Sequence, residues 1–238
     1  MTLFVVGTGR CGTYSIATAF KDMGYDAHHE RWSTTTVQSS HWYATGRMTH
    51  EEATLLLTAT DWGQVEVDAN LSHLVPVLTD LPDTKFLWVK RDPFKVEKSM
   101  TRMGWYRTED DYIPSIYHSG FKRFGDQVLL YAILNHAGHR VKAYEVTDIP
   151  ADKWRDAQPF VRCRWFIDWL TQYLDHYLPE DRTRIIDIDT VTAVDLMDIA
   201  NWAFPTQPPN RLDEVPNRRV EDPQYVSMAQ PAPRKDTV

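Results

Sequence analysis

The sequence predicts an α/β fold of three layers, a mostly parallel central sheet flanked by helices. Three observations carry this reading. Short β-prone apolar runs alternate with segments of helical periodicity, the pattern of parallel strands joined by helical crossovers. Apolar residues make up 42% of a 238-residue chain, enough for the core of one domain. No internal repeat at solenoid spacing and no apolar run of transmembrane length is present. Residues 1–204 are expected to form a single domain, and the proline-rich, polar residues 205–238 a tail that wraps it and frays at its end.

Taken in order, LFVVG (3–7) is a buried strand ending in glycine. TYSIATAFKDMG (13–24) sets Ile16, Ala17, Ala19, Phe20 and Met23 at helical spacing, with Gly24 as its stop. YDAHHE (25–30) reads as a second strand, residues 33–49 as a Ser/Thr-rich loop, and residues 50–59 as a helix. QVEVD (64–68) is a strand, LSHLVPVLTDL (71–81) a helix despite Pro76, and KFLWVK (85–90) a strand. DPFKVEKSMTRM (92–103) opens a helix with Pro93 at a favourable first-turn position. Residues 104–119 are irregular and aromatic, 124–138 helical, and VKAYEV (141–146) a strand. FVRCRWFIDWLTQYL (160–174) is an amphipathic helix, RIIDI (184–188) an ordinary central strand, and VDLMDIANWAF (194–204) the last helix.

Composition narrows the function. The net charge is −7, whereas a general nucleic-acid binder is usually basic, so an anion site must be local and nucleic acid is not an expected partner. Nothing resembles a signal peptide or a membrane span, and Cys11 and Cys163 are the only cysteines. A cytoplasmic protein without a disulfide framework or a membrane partner is expected. No convincing metal motif is present.

Two constellations carry chemistry. The first is GTGRCGTYS (7–15), between a strand and a helix. Glycines at 7, 9 and 12 let the backbone turn tightly, and the following helix start favours an anion. Thr13 and Ser15 add hydroxyls, and Arg10 adds a forked cation. Gly7 and Gly12 fit the nucleotide phosphate loop G-x-x-x-x-G-K-[ST], but Thr13 stands where its lysine belongs. Cys11 reads as a small residue fitting a tight loop, the alternative being an acidified thiol. The second is KFLWVKRDPFKVEKSM (85–100), which sets Arg91 past the carboxyl end of a strand and Ser99 eight residues on, suited to a second phosphate remote from the first loop.

Together these segments resemble the sulfotransferases that use 3′-phosphoadenosine 5′-phosphosulfate. RCGTYS (10–15) matches their 5′-phosphosulfate loop [KR]-x-G-T-x-x, and Arg91 with Ser99 matches their 3′-phosphate motif; residues 3–103 carry the likeness. The resemblance implies a phosphate-loop-like sulfotransferase architecture and in-line transfer of a sulfuryl group to a hydroxyl or amine of a small-molecule or carbohydrate acceptor, without a metal, leaving adenosine 3′,5′-bisphosphate. It implies that Gly9, Arg10, Cys11, Gly12, Thr13, Tyr14 and Ser15 hold the 5′ end, with Arg10 also neutralising the leaving group, and that Arg91 and Ser99 hold the 3′-phosphate. It also implies that a basic late segment, Arg218 and Arg219 in NRR (217–219), reaches the adenine or the 3′-phosphate, the alternative being a solvated patch.

A base must take the acceptor's proton. The resemblance points to Glu30 in MGYDAHHERW (23–32), with His28 or His29 as alternatives. On a strand His28 and Glu30 share one face and His29 the other; a carboxylate on the surface paired with Arg31 is the plain alternative for Glu30. Glu66 and Asp68 share a face of a later strand and are candidates to orient the acceptor or to act as base. VEVDAN lacks the lysine that family members often carry there. Residues 105–125 read as a lid or an irregular excursion, and RIIDID (184–189) superficially as a magnesium-binding strand end. The competing readings are a phosphate-loop kinase and a catalytically silent binding module on the same fold.

Overall fold

The computed structural model describes residues 1–103, 105–106 and 140–216. Its centre is a five-stranded, all-parallel sheet of β1 (Thr2–Val6), β2 (Ala27–His29), β3 (Val65–Val67), β4 (Thr84–Lys90) and β5 (Thr183–Asp187), in the order β2-β3-β1-β4-β5. The described helices are α1 (Thr13–Asp22), α2 (Ser33–Ala44), α3 (His50–Thr58), α4 (Val75–Leu78), α5 (Pro93–Arg102), α6 (Ala143–Val146), α7 (Ala151–Asp156), α8 (Pro159–Tyr177) and α9 (Ala193–Ala203), with 3-10 turns at Ala69–Leu74 and Glu180–Arg182.

Alternate strand residues serve opposite faces of the sheet. Phe4, Val6, Phe86 and Trp88 pack with Val96 and Met100 of α5 and with Phe166, Ile167 and Leu170 of α8. Leu3, Val5, Val65, Val67, Leu87 and Val89 pack with Ile16 and Phe20 of α1 and with Leu196 and Ile199 of α9. Both faces of β1 and β4 are therefore dry, which is why these two strands read as continuous apolar runs rather than as alternating ones.

The topology places the site. From β1 the chain first fills one flank, β2 and β3, and later the other, β4 and β5, so the strand order reverses between neighbours β1 and β4. Ligands of open α/β sheets lie at the carboxyl ends of strands at such a reversal. The glycine-rich loop leaves β1 there, and Arg91 leaves β4 there.

Four expectations are corrected. The loop read over residues 33–49 is largely helix α2. Its hydroxyls bond back up the helix, Thr36 to Trp32 O (3.1 Å) and Ser39 to Thr35 O (2.7 Å), and Thr36, Val37, Ser39, Ser40 and His41 are buried. Tertiary packing thus overrides the poor helix propensity of Ser and Thr. VKAYEV is not a strand: Glu145 accepts from Lys142 N (2.8 Å) and closes the single turn α6. The segment over 71–81 is broken, because Pro76 lacks an N–H and fits only the first turn of α4. RIIDI lies at the edge of the sheet among the described residues, not at its centre. The helix read over 124–138 lies outside the described residues.

The residues just past α9 are tied to the domain as far as Leu212. Tyr25 Oη donates to Gln207 O (2.8 Å), Asn210 N donates to Met23 O (2.9 Å), and Leu212 joins the core shared by α1 and α9. Among the described residues, no helix is long and apolar enough to cross a membrane.

Candidate functional site

The loop after β1 is pinned at its base. Gly7 N donates to Ser72 Oγ (2.9 Å), whose hydroxyl donates back to Gly7 O (2.8 Å). Gly12 is the N-cap of α1 with φ 94, and a Cβ there would collide with Ile188, so only glycine fits. Having no side chain, Gly12 cannot cap the first amides of α1, which keep their partial positive charge toward a ligand. Cys11 is fully buried and its thiol is pushed up to about 11 by that burial, so it is a packing residue rather than an acidified nucleophile. Tyr14 is exposed and Ser15 half-buried, and Gly9 lies under the ring of Trp105.

The two segments expected to bind anions touch. Arg10 Nε donates to Ser99 Oγ (3.2 Å), and Arg91 Nη1 donates to Arg10 O (3.2 Å). The expectation that Arg91 and Ser99 sit remote from the first loop is thereby corrected: β1 and β4 are adjacent, so the segments leaving them meet. Asp92 caps α5 by accepting from Phe94 N and Lys95 N, which fixes where Ser99 falls on the helix. Asp189, read from sequence only as a superficial metal-type aspartate, sits 3.4 Å from Arg91 Nε and 3.0 Å from Lys95 Nζ. Its pairing with the two cations holds its carboxyl below the usual range despite some burial. Sequence reasoning missed Lys95 and this role of Asp189. The pairing of β5 with β4 in parallel register creates the contact, with Ile188 N donating to Lys90 O (3.0 Å).

The base candidates separate into two groups. β2 ends at His29, and Glu30 turns off it with φ 53. The expected sharing of a face by His28 and Glu30 therefore fails: Glu30 Oε1 lies 3.9 Å from His29 Nε2, and the same His29 nitrogen is 3.1 Å from Thr13 Oγ1. Burial raises the pKa of Glu30, against the pull of Arg10 and Arg140. Burial lowers that of His29, with Asp68 opposing and Lys21 and Arg10 reinforcing. Arg31 is engaged with His28 (3.1 Å) and Asp61 (4.0 Å). His28 also lies 2.9 Å from Asp26, on the side of the sheet where Glu66 accepts from Gly63 N (2.7 Å).

Glu66 and Asp68 are each 3% exposed. Burial pushes Glu66 up to about 7 and, with the charge of Glu30, Asp68 up to about 6. Asp68 accepts from Thr36 Oγ1 (2.6 Å) and from Asn70 N and Nδ2 (2.8 and 2.7 Å), which ties α2 to the end of β3. Near the loop stands a cation that the sequence reading missed. The Arg140 guanidinium lies 3.7 Å from the ring centre of Trp105, whose edge comes within 3.2 Å of where a Cβ of Gly9 would stand. Arg218, Arg219 and most of the aromatic segment 105–125 lie outside the described residues.

A search of curated proteins finds no match. A family profile described as a sulfotransferase domain matches residues 2–151, well over half of the chain. The matched span holds every strand of the sheet but β5, together with the loop, Arg91 and Ser99. On that match, and on an all-parallel sheet that delivers the loop and the arginine–serine pair to one crevice, the chain belongs to the sulfotransferase domain family.

Proposed function

We propose that the protein transfers the sulfuryl group of 3′-phosphoadenosine 5′-phosphosulfate to a hydroxyl or amine of a small-molecule or carbohydrate acceptor. The observation that carries the reading is the junction of Arg10, Ser99 and Arg91, which brings the glycine-rich loop and the segment after β4 into hydrogen-bond contact. Contact of this kind suits one ligand with a phosphate at each of two nearby positions.

The donor set fits such a ligand. Gly12 leaves the amides at the start of α1 uncapped by any side chain. Arg91 has a side chain only 8% exposed, and its buried Nε has no hydrogen-bond acceptor among the described residues. Arg10 and the α1 amides would hold the 5′ end, and Arg91 and Ser99 the 3′-phosphate. When bound, the phosphosulfate donor supplies an activated sulfuryl group. Arg10 and the amides would offset the charge left on the departing phosphate side. Glu30 would take the acceptor's proton on a carboxylate oxygen, with neutral His29 beside it as the second candidate. Asp68 would hold α2 in place. The proposal extends to a cytoplasmic setting, where the buried thiols of Cys11 and Cys163 stay reduced.

Calorimetric titration with adenosine 3′,5′-bisphosphate, beside ATP with Mg²⁺, tests the reading. Metal-independent binding of the bisphosphate, weakened by about tenfold or more in Arg91→Ala, is expected. Binding of Mg·ATP without the bisphosphate would move the assignment to phosphoryl transfer. Binding of neither would favour a catalytically silent module.

A further inference from the structure

Two residues at the proposed 3′-phosphate end, Lys95 and Asp189, are not part of the Arg91–Ser99 pair that points to it. Lys95 and Ser99 are four apart on α5 and so share one face of the helix. From that face Ser99 Oγ accepts from Arg10, and Lys95 Nζ donates to Asp189 Oδ2 (3.0 Å). Asp189 Oδ1 faces Arg91 Nε at 3.4 Å, an ion pair without hydrogen-bond geometry. One carboxylate from beyond β5 thus bridges two cations of the segment after β4, near Arg10 of the loop after β1.

The pairing is imperfect in a particular way. A buried guanidinium N–H normally finds a well-placed acceptor. Here the nearest anion falls short of one, while Arg91 is otherwise fixed through Nη1 to Arg10 O. Asp189 itself is 27% exposed and follows the last residue of the edge strand β5 by two positions, bonded locally through its N–H to Asp187 Oδ1 (2.9 Å). Its side chain can leave Arg91 for water without unpacking either core.

We propose that Asp189 is a built-in counterion that takes the place of the 3′-phosphate when no ligand is bound, and that Lys95 is a third cationic ligand of that phosphate. The inference rests on the donor assignment above and deepens it. Arg91 and Lys95 bring two positive charges against the single negative charge of Asp189. A phosphate dianion brings two charges and three acceptor oxygens to the same cations and outcompetes a single carboxylate. A nucleotide without the 3′-phosphate leaves Asp189 where it is. Re-formation of the pair then assists departure of the bisphosphate product.

Calorimetry and stopped-flow binding on the full chain test this, with adenosine 3′,5′-bisphosphate as probe and adenosine 5′-phosphate as control. Asp189→Asn removes the competing charge at nearly constant size. It should tighten bisphosphate binding by about tenfold, mostly through slower dissociation, and leave the 5′-phosphate within about twofold. Lys95 is 53% exposed, so Lys95→Met should fold; it should weaken the bisphosphate by about tenfold and spare the control. Weaker bisphosphate binding in Asp189→Asn would make Asp189 an anchor that orients Arg91 and would overturn the proposal, as would unchanged binding. A wild-type chain that binds no bisphosphate, with Asp189→Asn equally silent, would sink the donor assignment itself, an outcome distinct from the other two.

Discussion

At the residue scale, Glu30 shows how one backbone angle changes a site. Its φ of 53 lies in the left-handed region, which a non-glycine residue enters only at a cost. The N–H still donates to Val67 O (3.0 Å), so the turn is anchored while the carboxyl swings to the side of His29 and Thr13. Burial raises the pKa of this carboxyl, and Arg10 and Arg140 pull it back. Glu30→Gln should therefore lower turnover by about 10²–10⁴-fold and leave bisphosphate affinity nearly unchanged. Activity should rise with pH as the carboxylate forms. Arg140→Met removes a cation that favours the charged form, so the rising limb should move to higher pH. A pH–rate profile of wild type and variant reads this directly, and superimposable limbs would separate Arg140 from the base. Arg10, Arg91 and Ser99 were legible because loop and helix spacing fix them locally. Arg140, Lys95 and Asp189 were not, because only the order of the sheet and the docking of distant segments bring them in.

At the element scale, β1, β4 and the apolar helices α1, α5, α8 and α9 were legible, because two dry sheet faces at the centre demand continuous apolar runs and matching helical stripes. α2 was not, because STTTVQSSHWYA carries no such stripe. Polar anchors hold it instead, above all the bond from Thr36 Oγ1 to Asp68 Oδ2 (2.6 Å), with both side chains buried. Thr36→Val keeps the shape and leaves Asp68 short of one donor. The loss of an acceptor's partner inside the protein costs roughly 1–3 kcal/mol. Urea unfolding should show a decrease of that size. Because the bond from Thr36 lowers the Asp68 pKa, the variant should also take up its proton at higher pH. Unchanged stability would mean that α2 is held by its apolar contacts alone.

At the scale of the whole molecule, the buried titratable groups give folding a direction in pH. Glu66 and Asp68 have pKa values raised to about 7 and about 6 inside the protein, and buried His73 has one lowered to about 4. A carboxyl whose folded pKa is raised stabilises the fold fully in acid and loses that contribution as pH rises through the folded value. A histidine whose folded pKa is lowered stabilises the fold above its ordinary value near 6.5 and loses that contribution as pH falls toward about 4. Two carboxyls outweigh one imidazole across the shared window, so these groups make the protein less stable at pH 8 than at pH 5. Glu66→Gln isolates the largest of them. The amide oxygen can still accept from Gly63 N, the bond that Glu66 Oε1 makes at 2.7 Å, but no charge develops beside Phe4 and His28, its partners across the sheet. Melting curves at the two pH values should show the variant near wild type at pH 5 and higher by roughly 3 °C or more at pH 8. Parallel curves would mean that water reaches the Glu66 carboxylate and that burial does not set its charge. A variant less stable at both values would mean that the carboxyl proton itself holds the strand start in place, a hydrogen bond that the amide cannot copy.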